Sequence, residues 1–453
     1  MKVTCVGINP TSEQKISLTP ELLAATGARY SRNNEGLEAI LEKIEGMDQD
    51  KAVDSIFKMV DYGHRSISDM APVAMFIDNI SLWMALRLWQ WCPTAGGQES
   101  STRYVKLKLE NIVTPPTATN EFHYAVVQAF SAYNEAYEIW SDVGNRFPQL
   151  MGIPDDVTDS KKLDRLIRNF AFDRARYFLP MCCQTNVMLV MPARSWVDLI
   201  KMLWSDVSAE SVALAEQMTN GLESVTPRLT KHARVDDSYS KGIETEFQSA
   251  VQHAKRLSPA HVRMYHPAVP YAMFHTPPHI TMDDMIQSLE NHDNRYDYFG
   301  PAVRRTVVRF GWKALTIAEL RDLNRHRTGT KEFTLAPVGS YFADDQVEKV
   351  MHLDAEASSK LNAIRHKGEN LTILANLTLA SGNPSFVYLL PLGAQCAYEH
   401  VTTADKFLYQ CELRTGLGAH YTYAARMREV LELWHREFPE TRTMIRPGMA
   451  EPE

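Results

Sequence analysis

The chain has 453 residues, more than one average domain needs at roughly 100 to 200 residues each, so two or three domains are expected. With 45% hydrophobic and 23% charged residues it reads as an ordinary soluble protein able to bury cores, not a disordered or fibrous one. Its net charge of -7 argues against a general nucleic-acid binder, although a local basic pocket is compatible with it.

Apolar residues recur at spacings of three and four near 37–62, 120–146, 196–222, 354–380 and 404–436, which predicts helices with one buried face. Between them, β-branched and aromatic runs at 73–80 (VAMFIDNI) and 305–310 (RTVVRF) predict strands, so the fold class is α+β. The aromatic run 82–92 (LWMALRLWQWC) reads as a core helix. Residues 226–242 are polar without a clear period and read as a linker. The resulting division is 1–228, a linker region 229–260, and 261–453. Six cysteines are scattered, with no CxxC and no His/Cys set at zinc spacing, so a reduced, cytoplasmic chain without a metal site is expected. The first residues, MKVTCVGINPTSEQK, lack a leader-like apolar core, and no run approaches about eighteen apolar residues, so neither secretion nor membrane spanning is expected.

A faint internal repeat runs through this pattern. Residues 175–204 and 386–414 share an aromatic-Leu-Pro start, a hydroxyl- or sulfur-rich stretch and an amphipathic helix. An amphipathic helix also precedes each of two polar motifs: 81–91 before QESSTRY (98–104), and 315–324 before RHR (325–327). Two copies of one fold in tandem are the economical reading. Alone, RHR is a solvated helix end and QESSTRY a capped polar loop. Their joint presence at matching places in two copies carries the further argument.

Taken together, these motifs resemble the flavin-dependent thymidylate synthases (ThyX), twice, with the family's mark divided between the copies. The first copy has GHRS (63–66), QESSTRY where the family has N-E-x-S-x-R-Y, ARYFLP (175–180) and ARS (193–195), but QWC (90–92) in place of RHR. The second has RHR, with Leu335 and Pro337 replacing the family serine and arginine, and it has ELRTG (412–416) where the first copy has Trp204. Since family sites form between subunits, the resemblance implies one composite site: Glu99, Ser101, Arg103 and Arg176 from the first half with Arg325, His326, Arg327 and Arg414 from the second. It also implies two ThyX-like domains packed as a pseudo-dimer, and a homodimer equivalent to the family tetramer.

Arginine presents a planar fork that matches phosphate oxygens. Arg103, with Ser101 and loop N–H groups, is therefore the candidate clamp for a pyrimidine nucleoside monophosphate, backed by Arg176. By resemblance, Arg414 stabilises charge developing on the pyrimidine, and Asp322 stands where the family has a base-reading glutamine. FAD would be faced by Arg325, His326 and Arg327, with His64, Ser66, Glu99 and Arg194 contributing from the first copy. Glu99 equally suits a simple acceptor of loop N–H groups. The implied reaction is C5 methylation of dUMP from methylenetetrahydrofolate, with NADPH re-reducing the flavin. Two alternatives stay open: C5 alkylation of dCMP or UMP, and nucleotide or flavin binding without turnover.

Overall fold

The structure is a computed structural model that describes residues 1–7, 18–31, 36–45, 48–60, 65–92, 94–151, 160–416 and 419–449. The chain divides into two compact units. The first comprises Met1–Ser100, Asn111–Pro116 and Gln184–Gln248; the second comprises Ser101–Glu110, Thr117–Cys183 and Ser249–Glu453. Segments 101–110 and 117–183, from the N-terminal half of the sequence, thus belong to the unit built mainly by the C-terminal half.

In the first unit, β1 (Lys2–Gly7), β2 (Pro72–Ser81), β3 (Gly96–Glu99) and β4 (Gln184–Pro192) form an antiparallel sheet in the order β1-β2-β4-β3. Along β2, Val73, Met75 and Ile77 are buried while Phe76 is exposed, the two-residue alternation of a sheet with one covered face. Its register shifts between Ile77 and Ile80, where Asn79 takes φ +60 and donates its amide to Asn186 Oδ1 at 2.9 Å. Asparagine tolerates that left-handed conformation better than most residues. Helix Leu82–Trp91 follows directly, with Ser81 Oγ accepting from the Met84 amide at 2.9 Å. Trp83 and Trp89 are buried, so the aromatic run is a core helix as expected.

In the second unit, β5 (Pro270–His275), β6 (Val307–Thr316), β7 (Thr330–Phe333), β8 (Gly339–Ser340) and β9 (Ala394–Thr403) form a sheet ordered β5-β6-β9-β7, with β8 also pairing β9. The register of β6 shifts between Trp312 and Leu315, at the same point of the strand as in β2. Again a helix follows at once, Ile317–Asn324. Its N-terminus is closed by a capping box: Thr316 Oγ accepts from the Glu319 amide, and the Glu319 carboxylate accepts from the Thr316 amide at 3.0 Å. Helices Asn120–Arg146 and Ser160–Ala175 pack on each other, and the former also packs on Ala355–Ala380.

Several expected elements differ in detail. The long helices read at 196–222 and 404–436 are each two helices, Ala193–Trp204 with Ala209–Val225, and Ala404–Arg414 with Tyr421–Glu437. New N-caps divide them: Ser208 and His420 side chains accept from the amides of Glu210 and Thr422. The helix read at 37–62 is described as Gly36–Glu45 and Gln49–Val60. The stretch read as an aperiodic linker is partly helical. Residues 226–242 hold helix Pro227–Thr230 and the start of Asp237–Arg256. The buried stripe of that helix, Ile243, Ala250, Val251 and Ala254, lies almost wholly beyond residue 242, which is why the window looked aperiodic. Among the described residues no helix is long and apolar enough to cross a membrane, and no His/Cys/Asp/Glu group could hold a metal ion. All six cysteines are free thiols, and all but Cys5 are buried.

Candidate functional site

Helix Ile317–Asn324 delivers Asp322, and its C-terminal end delivers Arg325, the C-cap, followed by His326 and Arg327. Cations are favoured there because the last carbonyls carry partial negative charge. The loop then turns at Gly329, φ +72, where a Cβ would overlap the Val401 carbonyl; only glycine suits both the conformation and the close approach. Two side chains pin this loop to the sheet. His400 Nε2, on β9, donates to the Thr328 carbonyl at 2.7 Å, and Lys331 Nζ, on β7, donates to the Asn324 carbonyl at 2.9 Å. Burial pulls the Lys331 ammonium down to about 8.

Residues from the N-terminal half reach this loop by a specific backbone pairing. Helix Ser160–Ala175 runs into the 3-10 turn Arg176–Phe178, and the next residues hydrogen-bond to segment 388–393. Met181 N donates to Leu390 O at 2.9 Å, Leu392 N to Leu179 O at 2.8 Å, and Gly393 N to Tyr177 O at 2.8 Å. The two Leu-Pro steps of the sequence repeat therefore face each other, with Pro180 bridged to Pro391. Leu392 O also accepts from Ala318 N at 2.9 Å, in the first turn of the helix that carries Asp322. Arg176 is thereby fixed beside that helix.

Here the charges meet. Arg176, with only 2% of its side chain exposed, donates from Nη2 to Asp322 Oδ2 at 3.1 Å. Arg103 makes a two-pronged contact with Asp173, Nε to Oδ1 at 2.7 Å and Nη2 to Oδ2 at 2.9 Å. Ser101 shapes the Arg103 turn, its Oγ accepting from the Arg103 amide at 3.2 Å. Arg414, the last residue of helix Ala404–Arg414, donates from Nε to His326 Nε2 at 2.7 Å and from Nη2 to the Asp322 carbonyl at 3.3 Å. Burial pushes the Asp322 carboxyl up, but Arg176, Arg325, Arg414 and Arg103 together hold it below the usual carboxylate range. Two of those guanidiniums come from the N-terminal half of the sequence and two from the C-terminal half.

Next to this cluster lies a cavity of about 530 Å³, lined by residues 325–328, by Tyr409, Leu413 and Arg414, and by Arg295, Tyr296 and Phe299. That volume is in the range of small-molecule sites. Its wall combines cations and aromatic rings with the carboxylates of Asp297 and Asp405; the Tyr296 and Tyr409 ring centroids lie 6.1 Å apart.

Other expected site residues lie in the first unit. Glu99 accepts from the Trp89 indole N–H at 3.1 Å, Arg194 pairs with Asp69 at 3.0 Å, and Ser66 is exposed in the 3-10 helix Arg65–Met70. His64 lies outside the described residues. The sequence reading missed Asp173, Lys331, His400 and His420. Asp173 was within reach, since it sits one helical turn before Arg176. His420 donates from Nε2 to the Asp173 carbonyl at 3.0 Å and steadies that turn, a contact no local pattern announces.

The histidines here are held neutral, and that has a measurable consequence. Burial first, then the Lys331 charge, pull His400 down to about 4, against the opposing pull of the Thr328 carbonyl. An unfolded histidine titrates near about 6.5. The unfolded chain therefore binds the extra proton first, so stability is full above about pH 6.5 and is lost as pH falls toward about 4. At about pH 5 the loss from His400 alone is about 2 kcal/mol. His326 and His420 shift in the same direction, burial again being the main cause. We expect the urea midpoint of the second unit to fall between about pH 7 and about pH 5, with His400→Gln flattening part of that fall. A midpoint that stays constant would contradict the assignment.

Comparison with known proteins adds the following. Residues 16–228 match the family model Thy1, described as thymidylate synthase complementing protein. A flavin-dependent thymidylate synthase from Clostridium tetani (strain Massachusetts / E88) is 22% identical over 218 residues, which is 47% of this chain and 82% of that protein. Two crystal structures of ThyX from Helicobacter pylori with FAD and dUMP, each 16% identical, align with 52% and 51% of this chain and with 100% and 99% of theirs, at TM-scores of 0.34 and 0.33.

Proposed function

We propose that the arginine cluster of the second unit binds a pyrimidine nucleoside monophosphate, and that the chain acts as a flavin-dependent, thymidylate-synthase-like methyltransferase on C5 of dUMP. The observation that carries this reading is the convergence of Arg103, Arg176, Arg325 and Arg414 on Asp322, beside a cavity lined by Arg325, His326 and Arg327. A nucleotide phosphate brings nearly two negative charges, which such a cluster is suited to receive. Arg103 and Ser101 would bind the phosphate, and Arg176 would hold Asp322 ionised as an acceptor for a base N–H. Arg414 would face the pyrimidine and stabilise the negative charge that grows there as C5 becomes nucleophilic.

The cavity also suits FAD by the chemistry of its donors. Arg295, Arg325, Arg327 and Lys406 offer cations for a pyrophosphate, and Phe299, Tyr296 and Tyr409 offer faces and edges for a ring system. When bound, the flavin supplies the hydride and one-carbon chemistry that no side chain here can supply. Methylenetetrahydrofolate and NADPH would be co-substrates. His64, Ser66, Glu99 and Arg194 remain proposed contributors to the cofactor.

The shared strand order, the register shift at one point of the second strand, and the paired Leu-Pro steps support a tandem duplication, divided as 1–228, 229–260 and 261–453. A homodimer of such chains would carry the four-domain arrangement of the family. A second reading is C5 alkylation of dCMP or UMP; the ionised Asp322, which accepts but cannot donate, favours dCMP with its exocyclic amine and does not separate UMP from dUMP, which share uracil. The test is purified chain carrying flavin absorbance bands, with tritium release from C5-labelled dUMP measured against dCMP and UMP. Release from dUMP supports the first reading, release from another base the second, and a flavin-free chain that releases none overturns both.

A further inference from the structure

The Arg414 guanidinium is held along one edge only. Its Nε and Nη2 hydrogens point the same way, and both are engaged, by His326 Nε2 at 2.7 Å and by the Asp322 carbonyl at 3.3 Å. That leaves the edge bearing Nη1 for a ligand, and Arg414 is one of the residues lining the cavity. An arginine cannot accept a hydrogen bond, so the 2.7 Å contact requires a lone pair on His326 Nε2 and therefore a neutral ring carrying its proton on Nδ1. Burial, Arg414, His400 and Lys331 all favour that form. Helix Ala404–Arg414 presents Arg414, β9 presents His400 and β7 presents Lys331, while its own segment adds Arg325 and Arg327; the carboxylates nearby are Asp322 and, in the cavity wall, Asp297 and Asp405.

We propose that His326 is a positioning residue whose task is to orient Arg414 through a neutral Nε2 acceptor, so that the histidine between the two arginines serves the nucleotide side of the site through Arg414 and not the cofactor directly. The functional half of this statement rests on the reading given above; the hydrogen-bond half does not. His400 does the complementary work from the other side. It donates to the Thr328 carbonyl, so its Nε2 carries the proton, and the loop is braced by two neutral histidines of opposite tautomer.

Two measurements on the full chain test this. In the first, with histidine nitrogens labelled and His326 assigned by its loss in His326→Gln, the wild-type Nε2 resonance should be that of an unprotonated nitrogen. It should stay so as pH falls through about 6.5, where a free histidine takes up its proton, and shift in Arg414→Ala. A protonated Nε2, or a resonance indifferent to Arg414, overturns the proposal without any ligand. In the second, dUMP affinity is measured in a double-mutant cycle. His326→Ala and Arg414→Ala should each weaken binding by about 10- to 100-fold, the scale of a lost charge-assisted hydrogen bond. The double variant should be no weaker than Arg414→Ala alone. His326→Gln, whose amide oxygen can still accept, should recover most of the loss. Additive losses would place His326 in direct contact with a ligand and overturn the proposal. If wild-type chain fails to bind dUMP, the proposed function fails, and the nitrogen resonance still decides the tautomer.

Discussion

Replacing Asp322 with alanine should unfold the second unit at a temperature lower by about 10 °C. The reasoning follows from burial. Arg176 is 2% exposed and its Nη2 donates to Asp322, with Arg325, Arg414 and Arg103 close enough to hold that carboxylate ionised. Removing it leaves the buried Arg176 without the carboxylate it donates to, and the remaining carboxylate nearby, Asp173, is already engaged by Arg103. Breaking a buried pair from one side costs about 3–5 kcal/mol, and about 2–4 °C accompanies each kcal/mol in a unit of this size. The same variant should gain in anion binding. Added inorganic phosphate should raise its unfolding temperature more than that of wild type, because an external anion then takes the place of the lost carboxylate. Asp322→Asn should fall between the two. An Asp322→Ala chain as stable as wild type, and indifferent to phosphate, would mean that the cluster is not held together by this carboxylate.

Arg414→Ala should abolish nearly all turnover while leaving the fold intact. Among the described residues Arg414 makes no direct side-chain ion pair, and its bonds go to an imidazole and a backbone carbonyl. Its loss therefore strands no buried carboxylate. As the group proposed to meet charge developing on the pyrimidine, it should contribute about 100- to 1,000-fold to kcat, the scale seen when one preorganised donor is removed. Arg414→Lys should recover little, since an ammonium cannot donate along the Nε and Nη2 edge and present a second edge to a ligand at once. A kcat unchanged in Arg414→Ala, measured by tritium release from C5-labelled dUMP, would remove this residue from the chemistry.

How much of this was legible before the structure depends on the range of the interaction involved. Helix Leu82–Trp91 and strand β2 were legible because each is a nearly continuous apolar run that the fold buries, Leu82–Leu86 in the helix and Val73–Met75 in the strand without a break. Strand β6 was read short, at 305–310, because Gly311 and Lys313 interrupt the apolar run. In the sheet Gly311 lies against the Tyr398 carbonyl, where a side chain has no room, and the strand continues to Thr316. The breaks within 196–222 and 404–436 were missed because caps at Ser208 and His420 act locally, against an apolar pattern that runs on past them. In the site, the division of arginines between the two halves was visible as complementary motifs, whereas their counterions were not. Asp322 meets Arg176 through the pairing of 177–182 with 388–393, and Asp173 meets Arg103 from 70 residues away; hydrogen bonds between such distant segments leave no period in the sequence.

The central claim is that guanidiniums from both halves of the chain act on one nucleotide. The most direct measurement is calorimetric titration of dUMP into wild type, Arg103→Ala and Arg414→Ala, one variant from each half. The account predicts a single site per composite cluster, weakened by about tenfold or more in each variant. Binding that either variant leaves at wild-type strength would contradict it.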